Sequence, residues 1–61
     1  MGMKNYQFFG VRYGDFYCGD ITVTAGRQLL AEIALSTILV RDFQGEGRIT
    51  WEKVRYLGRA R

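Results

Sequence analysis

Histidine and proline are absent from this 61-residue chain, and cysteine occurs once, as Cys18. A single thiol cannot close an intrachain disulfide, and without imidazole one copy cannot assemble the usual structural zinc sets. The same lack removes the ordinary general base at neutral pH and leaves Cys18 nothing to activate it. No apolar run approaches the ~20 residues of a membrane span, and the opening MGMKNYQFF lacks the layout of a signal peptide. These absences set the first expectations: a single domain over residues 1–61 with frayed ends at 1–4 and 58–61, soluble and cytoplasmic. It is expected to be neither enzyme nor membrane protein, with no cofactor, no metal and no small-molecule substrate. The six carboxylates include no close pair on a shared site, Ser36 has no base near it in sequence, and GVRYGDFYCG lacks the strand-to-helix form of a phosphate loop.

What the chain does contain is apolar material. Hydrophobic residues make up 48% and charged residues 25%, the balance of an ordinary globular domain and not of a disordered one. At this length, a core without disulfide or metal is near the lower limit of independent stability, so packing alone, or packing plus a partner, must hold it. Charge is uneven. Residues 1–47 carry four bases against five acids, whereas residues 48–61 carry Arg48, Lys53, Arg55, Arg59 and Arg61 against Glu52 alone. A positive end of this kind favours an acidic partner such as nucleic acid, though it is also a common solubilising terminus.

The order of elements follows from glycines and periodicity. NYQFFGVRY and FYCGDITVT are both rich in aromatic and β-branched residues, and the Gly14-Asp15 pair between them reads as a two-residue hairpin turn. In AGRQLLAEIALSTILVRDF, Leu29, Leu30, Ile33, Ala34 and Ile38 recur at helical spacing, which predicts a helix over about 26–40, capped by Thr24 or by the backbone at Gly26. The strand character of STILV also allows an earlier stop near Ser36. RDFQGEG reads as a loop. Residues 49–57 read as a third strand in preference to a helix, because β-branched and aromatic types dominate and a lone hairpin is marginal. Ile49 and Trp51 share a face with Val54 and Tyr56 if a bulge at Glu52 and Lys53 shifts the alternation by one. The expected fold is therefore α+β, in β-β-α-β order, with one helix on a three-stranded, mostly antiparallel sheet. The last strand pairs with strand 1 or lies beside strand 2.

A two-residue turn sets Arg12 opposite Tyr17, Gly10 opposite Gly19, Phe8 opposite Ile21 and Tyr6 opposite Val23. The helix then buries Phe8, Ile21 and Val23 on one side and leaves Phe9, Tyr13 and Phe16 as an aromatic strip on the other. The helix itself is apolar nearly all round, which calls for burial on more than one side. Phe9, Tyr13, Phe16, Leu35 and Leu39 thus become the candidate protein interface, for a homodimer or for another protein. The self-contained alternative is a register slip, a bulge at Cys18 and Gly19, or an early helix stop that folds these residues into one core. The second function class is nucleic-acid binding, with bases stacked on the aromatic face and phosphates held by cations. Its candidates are Tyr13, Phe16, Tyr17, Trp51, Lys53, Arg55, Arg59 and Arg61, opposed by Asp15 and Asp20 beside the strip.

The β-β-α-β order, with DITVTAGRQLLAEIA running from strand into helix and RITWEKVR as last strand, resembles the small inhibitors of bacterial RNA polymerase made by T7-like phages. The resemblance spans about residues 6–57. It implies a chain that binds the polymerase and not DNA, using arginines near its last strand, which here correspond to Arg48, Lys53 and Arg55, together with acidic residues. This chain departs from that pattern in being basic where an acidic contact strip is expected, and the likeness is one of fold more than of function.

Overall fold

The computed structural model describes residues 2–44 and 47–59. Strand β1 (Lys4–Tyr13) turns at Gly14 and Asp15 into β2 (Phe16–Ala25), which leads into helix α1 (Gln28–Phe43). The chain returns as β3 (Ile49–Thr50) and β4 (Lys53–Arg59). Both short strands pair antiparallel with β1, one after the other along the same edge, so β1 is the centre of the sheet and β2 its opposite edge. The α+β class and β-β-α-β order hold. The expected third strand is present in two pieces, and of the two positions open to it, it takes the one beside β1.

That interruption has a backbone cause. Past Phe8 the hairpin register slips, so Val11 and not Gly10 lies opposite Gly19, and a second slip after Val11 restores Arg12 to Tyr17. One extra residue therefore sits in β1 near Gly10, and one in β2 at Cys18. On the other side, Phe9 pairs with Lys53 and Arg12 with Thr50, so β1 and the returning chain accommodate their extra residues at the same level, Gly10 beside Glu52. Glu52 still donates its backbone N–H to Phe9 O at 2.8 Å. The proposed bulge at Glu52 and Lys53 is thus where the strand breaks. Gly10 and Gly19 adopt φ of +63° and +83°, which a residue with a Cβ reaches only at a cost.

The bulge rearranges the faces. Tyr6 and Phe8 point to the helix as expected, and after the extra residue Val11 and Tyr13 join them, so the strip of Phe9, Tyr13 and Phe16 does not exist as one surface. Tyr13 and Phe16 instead sit at the C-terminal end of α1, where the Tyr13 ring stacks on Phe43 (4.6 Å, 13° between planes) and Phe16 meets Phe43 edge-on at 5.2 Å. The core comprises Tyr6, Phe8, Val11, Val23, Ala25, Ala31, Leu35 and Leu39, with Trp51 edge-on to Phe8 at 5.1 Å. Cys18 is half-buried against it.

Helix α1 runs to Phe43, past the expected end at residue 40 and past the alternative stop at Ser36, because burial of Leu39 outweighs the strand preference of STILV. It ends on Gln44 in the left-handed conformation, whose N–H reaches back to the carbonyls of Val40 and Arg41. Its first turn has no side-chain cap: Arg27 is the N-cap residue, and the Thr24 hydroxyl bonds Asn5 Oδ1 across the hairpin instead. The expected fraying is corrected at Lys4, Gly58 and Arg59, since Lys4 pairs with Arg59 and Asn5 with Gly58. Met1, Ala60 and Arg61 lie outside the described residues.

If the positive φ angles carry the bulge, Gly10→Ala and Gly19→Ala each lose about 1–2 kcal/mol of stability. Gly26→Ala, at a glycine without positive φ and with 3.9 Å to Leu30, stays within about 0.5 kcal/mol of the parent. Urea denaturation of the three variants measures the difference.

Candidate interaction surfaces

Among the described residues there is no pocket and no cluster of three metal-ligating side chains, so the chemistry lies on open faces. No helix of the described chain is long and apolar enough to cross a membrane.

The first face is the outer side of α1. The helix packs on β2 and, less, on β1, and it buries only Ala31, Leu35 and Leu39, a stripe spaced by four residues. Ala31 lets the helix approach the sheet closely, and Leu35, with no exposure, fills the contact. At ~100° per residue the opposite side is then fixed. It presents Leu29 (57% exposed), Leu30 (44%), Ile33 (55%) and Thr37, with Val40 half-buried at its margin. The Thr37 hydroxyl is already satisfied by the Ile33 carbonyl at 3.0 Å, and the one charged residue from 28 to 40, Glu32, lies off this side. An α-helix in water with such an outer face is dry chemistry left uncovered.

Leu35 and Leu39 are therefore corrected as surface residues. They are the intramolecular core, and the helix positions open to a partner are Leu29, Leu30 and Ile33. Sequence reasoning missed these because an all-round apolar helix has no preferred side on a wheel; the small side chain at Ala31 was the available signal for the sheet-facing stripe.

The second face is the side of the sheet away from α1. Phe9 lies there with Lys53 Nζ 4.9 Å from its ring centre, and Tyr17 lies there with the Arg12 guanidinium at 5.2 Å. Arg55 is beside Lys53's row, paired with Gln7. The nucleic-acid candidates accordingly divide. Tyr17, Lys53 and Arg55 share this face; Trp51 packs on Phe8 on the core side; Tyr13 and Phe16 belong to the Phe43 cluster; Arg59 lies at the end of β4 opposite Lys4. Arg61 is outside the described residues. Of the other residues the sequence pattern singled out, Arg48 is exposed beside the hairpin turn, where its carbonyl accepts the Gly14 N–H at 2.7 Å. The outer edge of β4 exposes Tyr56 and Leu57, Tyr56 resting on Tyr6 at 5.6 Å between ring centres.

No protein-family model matches this chain, and no curated protein or solved structure matches it either.

The two stripes of α1 are separable by mutation. Leu35→Ala loses about 2–5 kcal/mol, enough to unfold a domain of this size, while Ile33→Ala in dilute solution changes stability by no more than about 0.5 kcal/mol. Thermal melts followed by circular dichroism distinguish the two outcomes.

Proposed function

We propose that this chain is a small non-catalytic binding protein that acts through protein–protein association, with the outer face of α1 as its contact and a second copy of the chain as the occupant. The observation that carries this reading is the exposure of Leu29, Leu30 and Ile33 on a helix whose other side already completes the core. Covering such residues removes apolar area from water at about 25 cal/mol per Å².

Two features favour a second copy. Leu30, Ile33, Thr37 and Val40 follow one another at intervals of three, four and three residues, the spacing of a seam that packs against a like helix. From Leu30 to Val40 the seam carries no charge, with Arg41 flanking it only at the C-terminal end, so the middle of two copies meets without like-charge repulsion, and its hydroxyl needs no partner. Sixteen residues of helix span ~24 Å. A contact of that length lies at the small end of specific interfaces, so the dimer is expected to be weak, with a Kd in the micromolar range or above. The likeness to phage inhibitors of bacterial RNA polymerase points to association with a protein as well, and a heterologous partner on this face is the competing outcome.

Sedimentation tests the proposal. The chain is expected to shift from monomer to dimer as concentration rises through the micromolar range, with little change between low and high salt. Ile33→Glu, at an exposed position, keeps the circular dichroism of the parent and stays monomeric. A parent chain that remains monomeric at millimolar concentration overturns the homodimer.

A further inference from the structure

The side of the sheet away from α1 carries a different chemistry, independent of the helix contact. Alternation along β1 sends Gln7 and Phe9 to this side while Tyr6 and Phe8 enter the core, and beyond the bulge Arg12 returns to it. Tyr17 joins from β2 as the partner of Arg12, and Lys53 and Arg55 join from β4 as partners of Phe9 and Gln7. Two rings and three cations are thus interleaved on one surface, with a cation already over each ring. Among the described residues the ion pair within 4.0 Å is Arg41 with Asp42, at the far end of the helix, so Arg12, Lys53 and Arg55 are not neutralised by a carboxylate at that distance.

Two acids lie near the middle of this surface, and both are engaged by the bulge. Asp20 Oδ1 accepts the Gly10 N–H at 3.2 Å, and the Glu52 side chain fills the space a Cβ on Gly10 would need. They set a route for an anion: along the β4 side past Arg55 and Lys53, and separately at Arg12, skirting the level of Gly10.

We propose that this face binds single-stranded nucleic acid, with bases stacked on Phe9 and Tyr17 and phosphates held by Arg12, Lys53 and Arg55. A sheet face carrying rings offers π-faces to unpaired bases of any identity once Lys53 and Arg12 swing from the Phe9 and Tyr17 rings to the phosphates, whereas a duplex keeps its bases stacked on one another and has only phosphates to offer. Cations beside the rings supply the sequence-independent attraction to the backbone. An acidic polypeptide would use the cations and leave the rings without a stacking partner, which is why nucleic acid is the better match.

Fluorescence anisotropy of a labelled single strand of about 12 nucleotides, titrated with the full chain at about 50 and 200 mM salt, tests the proposal. Saturable binding is expected, with log K falling against log salt at a slope near −2, about 0.7 for each of three phosphates. Lys53→Glu and Arg55→Glu each weaken binding several-fold and flatten the slope. Arg41→Glu, the same charge change at the end of the helix, has a smaller effect. Phe9→Leu keeps an apolar side chain and loses the ring, and it lowers affinity about fivefold or more. Tyr17→Leu, at a site 55% exposed, gives the same loss where packing is not at stake. Ile33→Glu, which is monomeric, still binds the strand saturably and with the same dependence on Lys53 and Arg55, so failure of the helix contact and failure of this face are read separately. The proposal is overturned by absence of saturable binding at the lower salt, by equal weakening from Arg41→Glu and Arg55→Glu, by undiminished binding of both ring variants, or by polyglutamate competing as well as an unlabelled strand.

Discussion

Most of the architecture depends on how the central strand takes in one residue too many. Around Gly10, β1 gains an extra position, which the returning chain answers at the same level at Glu52 and β2 answers one pair further along at Cys18. Because side chains alternate with a period of two, one inserted residue moves everything beyond it to the other face. Val11 and Tyr13 are thereby brought to the helix, Arg12 is turned outward, and the sheet acquires one apolar side and one on which rings and cations are mixed. Without the insertion both sides would be half apolar, and a single helix could cover only one of them.

The bulge also explains how so short a chain builds a core without an intrachain disulfide. Tyr6, Phe8 and Val11 from the centre of the sheet meet Val23 and Ala25 from its edge and the Ala31, Leu35 and Leu39 stripe of the helix, and every fully buried side chain described is apolar. Among the described residues no charged or amide side chain, which would need a partner inside, is buried. Of the remaining apolar residues, one group forms the outer face of α1 and another the Tyr13, Phe16 and Phe43 cluster that closes the end of the helix over the hairpin turn, while Tyr56 and Leu57 line the edge of β4 and Phe9 and Tyr17 lie on the far face of the sheet. The cluster satisfies itself in part by ring contacts. The helix face has no such internal answer, which is why it carries the functional reading.

Much of the fold was legible in residue order. The hairpin turn at Gly14 and Asp15, the pairings of Arg12 with Tyr17 and Phe8 with Ile21, the helix over most of its length and the kink near Glu52 all follow from local chemistry: turn residues, β-branched runs and helical spacing. The candidate interface was less accessible. Phe9, Tyr13 and Phe16 were grouped by strict alternation, a rule that holds only until the strand bulges. Leu35 and Leu39 were placed on an open surface because nearly every side of the helix is apolar, so no sequence pattern distinguishes the stripe that docks from the stripe that remains.

The sequence alone determined the kinds of element, their order, and the exclusion of an intrachain disulfide, since these depend on residues near one another in the chain or on a simple count of side chains. Tertiary structure decided the rest: that the last strand lies beside β1, that Gly10 rather than an ideal ladder sets the faces, and that the helix presents Leu30 and Ile33 outward. Those choices arise from contacts between segments distant in sequence, where Phe8 of the sheet and Leu35 of the helix are buried in one core and Glu52 lies beside Gly10, and no local preference records which arrangement fills the space.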